Sequence, residues 1–260
     1  MNILASILVA AFAGGALSTL AAAGTLALHA SSISRLVSFA VGALLGAVFL
    51  ELLPHALETG SAGRVMMTML VGLLAFFLLE KLVLWRHAHG HEHHHADEEE
   101  SEHDHAMHTD GGRSGLMILI GNAVHNFCDG VVIAASFLAN PGLGVATTLA
   151  IVAHAVPQQV GDFAVLIHSG FTRVRAFAFN VTAGFATVLG ALAGYYALAD
   201  MQQMLSMALA IAAASLLYVA VADLIPSLHR RAEPMETAKQ MLAILLGVAV
   251  IGFVHQLLEG

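Results

Sequence analysis

Eight stretches of more than twenty mostly apolar residues divide this chain almost end to end: 3-28, 34-57, 63-86, 114-138, 143-168, 174-198, 203-227 and 237-258. A bilayer core about 30 Å thick is crossed by roughly 20 apolar residues in helical conformation. Hydrocarbon offers backbone N–H and C=O groups no partner outside their own helix or a closed barrel. Barrel strands would alternate polar and apolar residues over about 10 positions, and these unbroken runs do not. The expectation is an all-α membrane protein with eight transmembrane helices. Composition agrees, since 58% of the 260 residues are hydrophobic and only 11% charged, against about 25% charged in soluble domains. The first run is read as a span and not a secretory signal, because no Lys or Arg precedes it and it is too long for a signal core. Cys128, the one cysteine, leaves no intrachain disulfide.

Orientation follows from the basic side chains, which mark the cytoplasmic connections of membrane proteins. Arg35, Arg86, Arg113, Arg173, Arg175, Arg230, Arg231 and Lys239 all fall in or beside the odd-numbered connections, whereas the even-numbered ones hold little beyond Arg64. Both termini are therefore expected outside, in a plasma or cell inner membrane. The formal net charge of -8 gives no reason to expect nucleic acid, and much of it comes from the loop "RHAHGHEHHHADEEESEHDHAMHTDGGR" at 86 to 113. Nine of the sixteen histidines lie there among Asp and Glu, a composition that cannot build a core and suits loose metal binding. The chain thus divides into helices 1-3 (1-86), a disordered cytoplasmic His-rich loop (87-113) and helices 4-8 (114-260), all one transmembrane domain.

Ionisable side chains inside the apolar runs cost free energy and point to function. The fourth run carries "GNAVHNFCDGVV", with His125 and Asp129 one helical turn apart and Asn126 three residues from Asp129. The fifth carries His154 and Gln158 at the same spacing, with Asp162 one turn later. Two neighbouring helices thus offer imidazoles, a carboxylate and amides, a donor set that suits zinc and related divalent ions more than magnesium or calcium. Pro157 sits inside this stripe. It lacks an N–H and crowds the carbonyl of Ala153, so a kink and a freed carbonyl beside a cavity are expected. A further pattern, acid-Leu-(Leu/Ile)-Pro, recurs as Glu51 to Pro54 in the second run and Asp223 to Pro226 in the seventh. By the charge rule those two helices run in opposite directions, which is the trace an inverted repeat leaves in a secondary transporter.

"HNFCDG" at 125-130 and "HAVPQQVGD" at 154-162 resemble the paired signatures of the ZIP (Zrt-, Irt-like protein) metal transporters, and "LYVAVADLIP" in the seventh run resembles the corresponding ZIP helix. The resemblance implies two inverted three-helix repeats around a central helix pair, helices 4 and 5. It places His125, Asp129, His154 and Gln158 at the principal metal site and Asn126 at a second, adjacent site with Asp129 and Gln158 bridging. It implies no resident cofactor and no enzymatic activity. Two positions depart from the family pattern: Ala155 stands where an acid is usual, and Gln159 where a Glu is usual. Loss of both carboxylates leaves a bound divalent ion with uncancelled charge, so one working site is expected, with Asp162, Glu51 or Asp223 compensating from nearby.

The expected function is uptake of divalent metal into the cytoplasm without ATP, zinc first and iron, manganese or cadmium behind it. No phosphate-binding Gly-rich motif appears. Uptake should fall as pH drops, because imidazole must be neutral to coordinate. Two alternatives remain at this point, a cation-diffusion efflux carrier and an intramembrane zinc hydrolase. The partners expected are divalent metal ions and the bilayer, with a homodimer left open. His55 and Glu58 follow Glu51 at helical spacing and are read as lining an outer entrance, His255 as packing or interfacial, and Gly42, Gly46, Gly184 and Gly190 as sites of close helix packing.

Overall fold

The computed structural model describes residues 2–25, 30–88, 113–229 and 234–259. Helices account for nearly all of them, and eight run the length of the molecule. Helix α1 spans 3–25, α2 spans 30–59, and α3 is Ala62–Ala88. Then come α4 (Arg113–Ala139), α5 (Pro141–His168), α6 (Arg173–Leu198), α7 (202–228) and α8 (Pro234–Glu259). Seven are long and apolar enough to cross a membrane among the described residues. The remaining one, α4, has 27 residues and carries Asn122, His125, Asn126 and Asp129 in its middle. Each described span lies within four residues of the run read from sequence. The His-rich stretch 89–112 lies outside the described residues.

Local sequence sets the helix starts and breaks. Asn140 caps α5, its Oδ1 accepting from the N–H groups of Gly142 and Leu143, and Pro141 takes the first turn where no N–H is needed. Helices α2 and α7 each contain a π-turn, Ala47–Leu52 and Val219–Leu224. In both, the residue after the turn donates five residues back, Leu53 N–H to Val48 O and Ile225 N–H to Ala220 O. Pro54 and Pro226 follow at once and have no N–H to offer their own fourth preceding carbonyl. Widening to an i to i+5 ladder accommodates that missing donor. Glu51 and Asp223 each occupy the fifth position of their turn. The short sequence repeat therefore corresponds to a repeated backbone irregularity.

Packing follows the same symmetry. Helix α2 packs along α8 as α7 packs along α3; α4 packs on α6 as α5 packs on α1; and α2 meets α5 as α7 meets α4. Exchanging 1 with 6, 2 with 7, 3 with 8 and 4 with 5 maps these pairings onto one another, as expected for two three-helix repeats about a central pair. Close crossings are made at glycine. A Cβ on Gly190 would fall 1.9 Å from the Phe127 carbonyl on α4, and one on Gly42 would fall 2.0 Å from the Ile244 carbonyl on α8. Outer helices α3 and α8 expose Leu74, Leu78, Leu242, Leu245 and Phe253, a surface whose natural solvent is lipid.

The cavity expected beside Pro157 is present, with Gln158 and His125 on its wall. Helix α5 stays helical from Pro141 to His168 with Pro157 inside it, so the backbone irregularities lie on α1, α2 and α7 and not on the helix of the histidine stripe.

Candidate metal centre

Helices α4 and α5 bring three ligand atoms to one point. His125 Nε2 lies 3.2 Å from His154 Nε2, and Asp129 Oδ2 lies 3.5 Å from the first and 3.4 Å from the second. His125 and Asp129 share a face of α4 because they stand one turn apart; His154 reaches them from α5. A tetrahedral zinc ion with bonds of about 2.0–2.1 Å sets its ligand atoms about 3.3–3.4 Å apart. The three distances thus describe one face of such a polyhedron. Two imidazole nitrogens and a carboxylate oxygen at this separation repel unless a proton or a cation lies among them.

The surroundings fix these groups. His154 is fully buried, and its Nδ1 lies 3.2 Å from the Ala150 carbonyl, so that nitrogen donates and Nε2 presents its lone pair to the triangle. Asp129 is 1% exposed, and neither of its oxygens accepts a close hydrogen bond among the described residues. A buried carboxylate left in that condition is costly. A divalent ion would remove the cost. Among the described residues this is the one group of three or more His, Cys, Asp or Glu ligand atoms close enough to share an ion.

The remaining sequence-read residues separate into two sets. Gln158 lies with His125 on the wall of a cavity of about 300 Å³ that also meets Glu80, Cys128, Tyr218 and Asp223. Asn126 is buried, and its Nδ2 donates to the Asn122 carbonyl at 2.9 Å and to Asn122 Oδ1 at 2.8 Å. Its amide nitrogen is thus committed to its own helix. Ala155 is buried and offers only a methyl group.

Of the acids expected to compensate an ion's charge, Asp223 is close enough to act electrostatically on both imidazoles, and Asp162 interacts with Asp223. Glu51 does not belong to this group. It is buried against α8, with Oε1 3.2 Å from His255 Nδ1, near the end of α2 at Thr59.

Gln159 corrects a sequence expectation in another way. Read as a lost charge near the metal, it is instead an anchor: its Oε1 accepts from Thr19 Oγ1 at 2.6 Å, its Nε2 lies 3.4 Å from Ser18 Oγ, and its carbonyl accepts from Asn180 Nδ2 at 3.2 Å. It ties α5 to α1 and α6. Sequence reading missed Glu80, which accepts a hydrogen bond from the Tyr218 hydroxyl on the wall of the same cavity as Gln158. The signal was present, since Glu80 is the one carboxylate in the third apolar run.

Comparison with known proteins gives a consistent picture. The family model described as ZIP Zinc transporter matches residues 2–255. The chain is 30% identical over 236 residues to Zinc transporter ZIP13 of Pongo abelii, covering 84% of this chain and 66% of that protein. It is 30% identical over 276 residues to the Zinc transporter ZIP13 homolog of Drosophila melanogaster, covering 86% and 78%. Over 156 residues it is 34% identical to Zinc transporter SLC39A7 of Rattus norvegicus, covering 55% and 32%. The chain spans about two thirds of the length of the first of these relatives.

Proposed function

Because the chain belongs to the ZIP zinc transporter family, we propose that it carries divalent metal, zinc first, across a membrane into the cytoplasm through the centre on α4 and α5. The supporting observation is the triangle of His125, Asp129 and His154 with edges of 3.2 to 3.5 Å. Gln158 is the proposed fourth ligand, entering from the wall of the adjoining cavity. Asn126 is assigned to a second, weaker position beside it, which Ala155 deprives of a carboxylate. The proposed orientation puts the 89–112 stretch in the cytoplasm and both termini outside.

Zinc needs neither redox chemistry nor ATP to move this way. A potential negative inside favours entry of each unit charge by about 2.3 kcal/mol per 100 mV, and of a divalent ion by roughly twice that. The cavity lined by Glu80, Gln158 and Asp223 lies toward the ends of α3 and α7 that this orientation puts inside, so it serves as the release path. Loading proceeds from the opposite end through a rearrangement of one set of helices against the other. Release requires that binding be strong enough to select and weak enough to let go; a centre with a single carboxylate meets that demand. The experiment is initial-rate zinc uptake by proteoliposomes holding the purified chain, with Asp129→Asn as control. Uptake equal in the two preparations overturns the proposal.

A further inference from the structure

The opposite end of the bundle holds a second set of ligand-type side chains that the centre does not use. Glu51 is 1% exposed and lies on the π-turn of α2, with Oε1 3.2 Å from His255 Nδ1 on α8. The His255 side chain is 36% exposed and opens onto a cavity of about 540 Å³. Its lining includes His55 and Glu58, one and two turns beyond Glu51 on α2, and the end of α8 at Leu258. Neither His125, Asp129, His154 nor Gln158 lines this cavity. Asn140 does, but its oxygen is engaged by the first turn of α5.

We infer that Glu51 and His255, with His55 and Glu58 at the rim, form a second divalent-cation site that captures metal before it reaches the central pair. Three observations converge on it. The chemistry is a carboxylate and imidazole pair brought together from different helices, a donor set suited to zinc and similar borderline ions. The position is a polar cavity at the end of the bundle remote from the release path. The third is symmetry. Glu51 and Asp223 occupy the same place in the two π-turns, and Asp223 lines the inner cavity with the metal ligand His125. The repeat thus sets one carboxylate toward each end of the bundle, Asp223 on the wall of one cavity and Glu51 against His255, which lines the other. In the sequence His255 looks like an interfacial residue near the end of the last span; only the packing of α8 along α2 turns it toward Glu51.

The role in uptake rests on the transport reading; the binding does not, and a labelling experiment separates the two. In the full-length chain with Cys128→Ser, His255→Cys supplies a single thiol that is itself a zinc ligand. Cells and inside-out vesicles are treated with a membrane-impermeant maleimide, with and without zinc. The expected result is labelling from the cell exterior, slowed about tenfold when zinc exceeds its dissociation constant about tenfold. Protection should disappear with Glu51→Gln and persist with Asp129→Asn. Should Glu51→Gln fail to reach the membrane, the double change His55→Ala and Glu58→Gln carries the same expectation.

Labelling and protection confined to inside-out vesicles would support the site and reverse the proposed orientation. No labelling from either face, no protection by zinc, or protection lost with Asp129→Asn would each overturn the inference.

Discussion

Replacing Asp129 with Asn keeps the size and shape of the side chain and removes the one carboxylate in the triangle. Its partners stay in place: His154 remains tied to the Ala150 carbonyl and His125 remains on its helix face. What changes is the charge that a divalent ion meets, from one buried anion to none. Removing one partner of a buried charge pair costs about 3–5 kcal/mol. At about 1.4 kcal/mol per factor of ten, zinc binding at the centre weakens roughly 100-fold to several thousand-fold. Initial rates of zinc uptake into proteoliposomes, measured across a range of zinc concentrations, should then show no saturation where the unmodified chain saturates. Asn126→Ala is the informative comparison. Asn126 is equally buried and sits one turn from Asn122, but its amide nitrogen is spent on that neighbour. Loss of a supporting partner of this kind costs about 10- to 100-fold at most. If Asn126→Ala abolishes uptake as completely as Asp129→Asn, the single-site argument is wrong, and the two positions act as one two-metal unit.

Other changes test other links. Gly190→Ala places a methyl group 1.9 Å from the Phe127 carbonyl, which forces α6 away from α4 at a cost of about 1–3 kcal/mol or more; a lowered thermal midpoint in detergent together with reduced uptake is expected, and an unchanged midpoint contradicts the packing reading. Gln159→Leu removes the acceptor of Thr19 and leaves that buried hydroxyl one partner fewer, a cost of about 1–3 kcal/mol. It should lower stability while zinc affinity at the centre holds; a loss of affinity without a loss of stability would make Gln159 a ligand after all. Deleting residues 87 to 108 should leave the uptake cycle running, since the proposed centre and both cavities are built from the helices; complete loss of uptake by a chain that still reaches the membrane counts against this.

Much of the architecture was readable because a bilayer imposes so few solutions. Eight apolar runs became eight helices, and Gly42, Gly46, Gly184 and Gly190, singled out as small, all lie at helix contacts. The juxtaposition of His125, Asp129 and His154 was also anticipated, since spacing by one turn on consecutive helices leaves few other faces to share. Three features were not readable. That α5 continues as helix on both sides of Pro157 is not written in the proline itself, which is also found at a helix start or end. The role of Gln159 depended on Ser18 and Thr19, some 140 residues away in sequence. Glu51 was grouped with the centre because charge alone gives no direction; its partner His255 lies on the last helix, some 200 residues away in sequence.

The distribution of carboxylates bears on how a centre with so little negative charge can work. Two neutral imidazoles, an amide and one carboxylate leave a divalent ion with one uncancelled positive charge, and a charge held in a low-dielectric interior without compensation is expelled. Placing more carboxylates in the centre would hold the ion but would also trap it. Along the proposed release path they are distributed instead. Asp223 acts on both imidazoles from the wall of the inner cavity, and Glu80 waits there on the hydroxyl of Tyr218. In the proposed release, an ion leaving the triangle toward that end would exchange the carboxylate of Asp129 for those of Asp223 and Glu80. Neutralising Asp223 as Asn should therefore slow release more than it weakens loading. Single-turnover uptake should keep its zinc dependence while steady-state turnover falls. A variant that loses apparent affinity with turnover intact would place Asp223 in the binding step and not on the way out.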